Sequence, residues 1–359
     1  MRSHVVPING IRVPYVRTGY ESIIPLKAGE RFVVSAIEDG KVLSVSKNNI
    51  EVEYKTQGKK KYKISDWTSK EESESCYTHI MKSNLKVGDT FTKDDTLVYD
   101  SSFFGIDIFN PKRVCYREGE LINVALSEDP QTFEDSASIS KTLNNRLGTV
   151  VTKVINVILD VKDNISGLKQ PGEKVGPSDT LLVITNQILG GAEMDAKALE
   201  IMSSLNKQAP KAKYKGVINK VEIRYNADLD DMSPSVKELV NKLDKISLDK
   251  YGYTNKVNDS FSHHGKSLLD GTMLVKIYLD VNYGMGIGDK MILGNQLKCT
   301  IGEVFENNVT AEDGTPIECF FAAKSIAARI VCSAYLTGTT SRLLEKLGEL
   351  ACDIYFGKS

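Results

Sequence analysis

The sequence predicts an α+β chain rich in β-structure: a barrel assembled from distant strands, an insertion between its halves, and a helical C-terminus. Three observations predict it. First, a turn-and-strand phrase recurs. LKVGDTFTKDDTLVYD (residues 85–100) and EKVGPSDTLLVIT (173–185) share a K-V-G turn and a D-T-L before an apolar strand, and GIGDKMIL (286–293) repeats the Gly-Asp turn. Phrases of this kind, separated by long stretches of chain, imply one barrel closed by strands of remote origin. Second, the texture between about residues 165 and 272 differs from both flanks, which marks an insertion. Third, from Ile317 onward the period is helical, ending in Ser341–Cys352 with Leu343, Leu344, Leu347 and Leu350 as the stripe expected to be buried.

The elements follow in order. Arg31–Ile37 and Lys41–Ser46 flank Asp39-Gly40, a hairpin signal because glycine tolerates positive φ. Asn49–Tyr54 and Lys60–Ile64 continue the meander around a QGKKK tip, whose lysines read as a solvated hairpin end. Trp67 reads as a packing residue rather than a base-stacking platform. Within the insertion, Glu193–Lys207 carries Met194, Ala198, Ile201, Met202 and Leu205 at helical spacing, with Pro210 beyond its end. Tyr214–Tyr225 alternates as a strand, and Ser233-Pro234 opens a helix with Val236, Leu239, Val240 and Leu243 on one face. Met273–Val281 is the clearest strand, with Val275, Ile277, Leu279 and Val281 alternating with polar residues.

The chain has 359 residues, enough for two or three domains, and 41% apolar with 26% charged residues is an ordinary globular balance. A net charge of -1 excludes a stand-alone nucleic-acid binder with a strong basic excess, so phosphate contacts must be local or shared with partners. Six scattered cysteines form no CxxC pair, and none of the four histidines stands at zinc-ligand spacing from one, so free thiols in a reducing compartment are expected. No apolar run reaches the length of a membrane span, so a soluble, cytoplasmic protein is expected.

Three constellations could carry chemistry. Phe133-Glu134-Asp135-Ser136 sets two adjacent carboxylates after the apolar Leu121–Leu126. By itself this is a solvated turn or helix cap; its sharper reading is a metal held through water, or a basic side chain oriented by the acids. Gly288-Asp289-Lys290 is followed eight residues later by Lys298, and alternation across a tight turn can put both ammonium groups on one side, where they suit phosphates. Arg329, in KSIAARI, sits among small and apolar residues and needs either a structural ion pair or a phosphate.

Read together, in order, these phrases resemble the β subunit of bacterial multisubunit DNA-dependent RNA polymerase. GELINVALSEDPQTFEDSASIS is similar to the family's segment ending N-F-E-D-S, and LVKIYLDV with GDKMILGNQLKC is similar to K-V-Y-L-A followed by G-D-K-M-A-G-R-H-G-N-K-G. The eight-residue lysine spacing, the D-G-T-P turn (Asp313 to Pro316), SIAAR and the opening MRSHVVP also have counterparts in the family's order. The likeness covers most of the chain, patchily, and corresponds to the C-terminal part of a split β subunit, similar to those of giant bacteriophages.

The resemblance implies a double-psi β-barrel. Residues 1–165 would supply the hybrid-binding region and first half of the barrel, and 166–272 a flap- or wall-like insertion. Residues 273–332 would supply the second half with the lysine loop, and 333–359 the C-terminal helix. Lys290 and Lys298 would contact the initiating nucleotide and the phosphates near the RNA 3′ end, and Arg329 would grip the incoming triphosphate. Glu134 and Asp135 would stand near a second Mg²⁺, acting through water, and His4 would take the place of a nucleotide-side glutamine. The catalytic aspartates would belong to a β′-type chain, since no D-F-D-G-D string occurs here.

Partners implied are an N-terminal β-type chain, β′-type chains, DNA template, nascent RNA, nucleoside triphosphates and a phage-specific promoter-recognition subunit. No membrane is among them, and the location would be the host cytoplasm or the virion. Departures are the loss of the family's arginine, histidine and second glycine, since R-H-G-N-K-G is ILGNQLKC here, and an acidic tip, Asn226–Ser233, where the family docks a σ factor. A self-contained phosphate-handling barrel enzyme would need its own acidic triad. A non-catalytic β-like scaffold remains the alternative, against which stands the joint presence of Glu134, Asp135, Lys290, Lys298 and Arg329.

Overall fold

A computed structural model describes residues 7–357 except 11, 70, 72, 73, 118, 129, 134, 186–206, 259, 264, 295 and 307. His4, Glu134 and nearly all of the helix expected over Glu193–Lys207 lie outside the described residues. The fold is α+β and strand-rich, in two compact units: residues 1–68, 78–150 and 283–359 form one, and 69–77 with 151–282 the other.

In the first unit, Gly40–Val45, Asn49–Tyr54 and Gly58–Lys63 form an antiparallel meander extended by Thr90–Phe91. Alternation buries Val42, Ile50, Val52 and Tyr54 on one side, while Lys59, Lys61 and Lys63 remain exposed, as a solvated hairpin requires. The hairpin expected across Asp39-Gly40 does not form. Val33–Ser35 pairs with Thr96–Asp100, and Gly40–Val45 turns back at residues 46–48 instead. Gly40 is required for another reason: a Cβ there would lie 2.4 Å from the Glu53 carbonyl oxygen. Trp67 packs, as expected. It stacks on His79 at 3.8 Å between ring centroids, and the His79 Nδ1–H donates to the carboxylate of buried Asp100 (2.6 Å).

One hydrogen-bond device recurs in the turns of the repeated phrase, at different places in it, while Lys174–Val175 of the second K-V-G is strand rather than turn. The N–H of Lys86 donates to Asp89 Oδ2 (2.7 Å), that of Gly176 to Asp179 Oδ2 (2.7 Å), and that of Gly286 to Asp289 Oδ2 (2.8 Å). Each aspartate thereby closes its own turn before a strand begins.

A second sheet of this unit joins remote segments. Val124–Leu126 runs parallel to Cys319–Phe321, which is antiparallel to Ser136–Ser140; the latter runs parallel to Leu297–Phe305, whose other edge pairs with Lys290–Leu293. Its core comprises Ala137, Ile139, Leu143, Leu297, Cys299, Ile301, Cys319 and Phe321.

The second unit is built on the long strands Thr149–Asp160, Gly216–Asn226 and Thr272–Tyr283. Val275, Ile277 and Leu279 are fully buried on one face, covered by the helix Pro234–Tyr251 through Val236 and Val240. That helix obeys its sequence signals: Ser233 caps it by accepting the Val236 N–H (3.3 Å), Pro234 opens it, and Gly252 at φ +80° closes it. The acidic tip gains basic partners that the sequence did not reveal, Lys256 on Asp228 (2.6 Å) and Lys237 on Asp230 (3.2 Å).

The C-terminal helix, Cys332–Tyr355, faces the opposite way from the expectation. Leu343, Leu344, Leu347 and Leu350 are 58, 40, 51 and 56% exposed, and Ser341 on the other side is buried. The cause is a polar anchor. Arg12 reaches Glu345 (2.8 Å), and Arg342 holds Asp313 (2.8 Å) and the Thr315 hydroxyl (2.6 Å). Hydrogen bonds from Thr315, reinforced by Arg342 and Lys346, hold the Asp313 carboxyl down to about 2. Among the described residues, no helix is long and apolar enough to cross a membrane, and all six cysteines are free.

Candidate functional site

The site begins with strand register. Lys290 pairs with Thr300 and Ile292 with Lys298, so these four residues share one face of the hairpin. Leu293, Leu297 and Cys299 point the other way into the core. Lys290 and Lys298 are therefore diagonal neighbours on the exposed face, a separation of roughly 7–8 Å between backbones in such a ladder. Alternation across the turn sets this arrangement, which is why the sequence could anticipate it. Gly288 at φ +90° forms the tight entry, with its N–H donating to the Ile301 carbonyl (2.8 Å).

The row continues across the sheet. Thr300 pairs on its far side with Ser136, and its N–H donates to the carbonyl of Asp135 (2.9 Å). Asp135 stands at φ +54°, its N–H donating to Ser325 Oγ (3.4 Å) and its carboxylate bound to the Arg329 guanidinium. Lys290, Thr300, Asp135 and Arg329 thus form a connected series, with Lys298 diagonal to the first. Of the expected site residues, Glu134 and His4 are not among those described.

Arg329 resolves the two readings of its surroundings in one respect: an ion pair exists. Both partners are nevertheless 43% exposed, so the guanidinium is accessible, and a pair this open adds little to stability. The next residue was not anticipated at all. Ile330 has φ +55°, a left-handed conformation strongly disfavoured for a β-branched side chain, and is 83% exposed. It joins the short helix Ala323–Ala328 to the C-terminal helix. Nothing in spacing or composition marks an isoleucine for such a position. Strain of this kind, at about 1–3 kcal/mol, is characteristic of functional sites.

The surface around the cations is apolar as well as basic. Phe133, Ile287 and Ile292 are 62, 72 and 57% exposed. Beneath it, burial, with Asp135 adding its charge, pushes the Cys299 thiol up to about 12, so it is inert packing rather than a nucleophile. Among the described residues no three His, Cys, Asp or Glu side chains are grouped to hold a metal ion. Asp135 is a single carboxylate already engaged by arginine. By itself, with Glu134 outside the described residues, it is too small a donor set to hold Mg²⁺ directly, which wants near-octahedral oxygen.

A second charged cluster was missed because its members are remote in sequence. Arg146 bridges Glu120 and Glu318, whose side chains are 1 and 8% exposed, and Arg12 lies 3.8 Å from Glu318. All its carboxylates are paired, which marks it as an anchor for the chain rather than a reactive site.

No family model matches this chain, and no curated protein matches it either.

Proposed function

We propose that the chain is a β-type subunit fragment of a multisubunit DNA-dependent RNA polymerase, active in nucleotidyl transfer only within a complex. The observation that carries the proposal is the shared exposed face of Lys290 and Lys298, joined through Thr300 to Asp135 and the accessible Arg329. On this reading the mixed sheet joining residues 124–140 to 290–321 is part of a double-psi barrel.

In the mechanism, the RNA 3′-hydroxyl attacks the α-phosphate of the incoming triphosphate and pyrophosphate leaves. Lys290 and Lys298 lie along the phosphates at the 3′ end, where fixed ammonium groups offset negative charge as it shifts in the transition state. Arg329 exchanges Asp135 for the triphosphate, and its planar fork matches phosphate oxygens. Mg²⁺, when bound, supplies Lewis-acid chemistry from ligands of a β′-type chain. Exposed Phe133, Ile287 and Ile292 give the surroundings a partly dry character once nucleic acid covers them.

The experiment assembles Lys290→Ala and Lys298→Ala chains with the polypeptides that co-purify with the wild type. Removing one charge-assisted contact costs roughly 1.5–3 kcal/mol, or about 10- to 100-fold in rate. The loss should fall on the first phosphodiester bonds, and elongation from a preformed RNA–DNA scaffold should suffer less. The isolated chain should incorporate no nucleotide. Double mutants that initiate at the wild-type rate, or incorporation by the chain alone, would defeat the proposal.

A further inference from the structure

The C-terminal helix turns its polar side inward and its apolar side to solvent. Leu336, Leu343, Leu347, Leu350 and Ile354 are 51–70% exposed, and they lie opposite buried Ser341 and anchored Glu345. Leu336, Leu343 and Leu350 recur every seven residues, with Leu347 and Ile354 four residues after the second and third of them, which is a coiled-coil seam. From Lys346 to Tyr355 every residue is exposed, on all sides of the helix. A helical segment this short is marginal in water without a packing partner.

The geometry points to a second copy of this chain as the occupant, its helix packed antiparallel against the seam. Charge decides the register. Antiparallel pairing over the whole stripe would set Lys346 against Lys346 of the second copy. A slide of one heptad instead sets Lys346 opposite Asp353 of the second copy, and two-fold symmetry makes that contact twice. The same slide puts Leu343 against Ile354, Leu347 against Leu350, and large Leu344 against small Ala351. Among the described residues Asp353 has no ion pair, and Lys346, paired with Glu349 (3.0 Å) and 3.9 Å from Asp313, still has 47% of its side chain exposed, so each keeps surface for a further partner. The overlap falls on residues 343–354, largely the segment whose residues are exposed all round. Burial on the order of 1,000 Å² in total lies at the lower edge of specific interfaces, which implies a reversible dimer.

The inference does not rest on the polymerase reading; loss of that reading would leave the dimer unaffected. Sedimentation equilibrium of the full chain over about 1–100 µM should show monomer and dimer in exchange. Leu350→Asp and, separately, Leu343→Asp should weaken the dimer about 100-fold while leaving thermal unfolding of the monomer unchanged, because both side chains are exposed. Lys346→Asp should weaken it about tenfold, and Lys346→Asp with Asp353→Lys should restore it. A chain monomeric throughout overturns the inference and leaves the seam to a different polypeptide. A dimer indifferent to Leu350→Asp, or one that the double charge swap does not restore, overturns it as well.

Discussion

At the scale of single residues, backbone strain and buried polar pairs carry separate costs that substitution can expose. Ile330 keeps a left-handed backbone while burying almost nothing, so Ile330→Gly relieves strain at no loss of packing. Unfolded-chain entropy offsets part of the gain, and the net should be about 0.5–1 kcal/mol of added stability in chemical denaturation. A destabilised Ile330→Gly chain would show that the side chain packs in solution. His79 and Asp100 behave oppositely. Both are buried and joined at 2.6 Å, with Trp67 stacked on the imidazole. Asp100→Ala leaves a polar ring without its partner in the core and should cost roughly 3–5 kcal/mol. Neither feature could be read beforehand: left-handed isoleucines leave no trace in composition, and His79 lies twenty-one residues from its acid.

At the scale of elements, local signals were legible and orientation was not. Ser233, Pro234 and Gly252 fix the ends of their helix through their own chemistry, so that helix was predictable from a few letters. The alternation that puts Lys290 and Lys298 on one face is equally local. Periodicity at the C-terminus revealed a stripe without revealing what it meets, because Arg12 and Asp313, which turn the helix over, are far away in sequence. Asp39-Gly40 misled for a related reason: the nearest strand in sequence was not the pairing strand. The Asp313 anchor makes a pH prediction. A carboxyl depressed below its ordinary 3.8 contributes stability that is fully present above that value and lost as pH falls through about 2. The stability difference between wild type and Asp313→Asn should therefore stay constant from neutral pH to about 4 and close between 4 and 2. A difference already gone at pH 5 would mean that the Thr315 hydrogen bonds and Arg342 do not hold Asp313 in solution.

At the scale of the whole molecule, the strand-rich α+β character was legible from repeated turns, since each Asp closes its turn within three residues. The connected series Lys290, Thr300, Asp135 and Arg329 was only partly legible, because Thr300 and the Asp135–Arg329 pair depend on sheet register between remote segments. Burial also sorts the thiols. Cys76, Cys115, Cys299 and Cys319 are buried, whereas Cys332 and Cys352 are exposed on the C-terminal helix. Burial pushes Cys76 up to about 11 and Cys299 to about 12, and raises Cys115 and Cys319 too. A thiol reagent at pH 8 should modify two cysteines rapidly in the native chain and all six after denaturation. Rapid native modification of more than two would show that a core opens.

The mixed sheet of the first unit has a consequence in time. Ser136–Ser140 has its neighbours at Leu297–Phe305 and Cys319–Phe321, so during synthesis it must wait for more than a hundred and fifty further residues before either edge is covered. Throughout that interval the ribosome holds a chain with an open apolar strand, while the second unit, completed near residue 282, can already have folded. The lysine face is among the last surfaces to exist. A stalled chain ending before residue 290 would carry one finished unit and one sticky half-sheet, the form most in need of a chaperone.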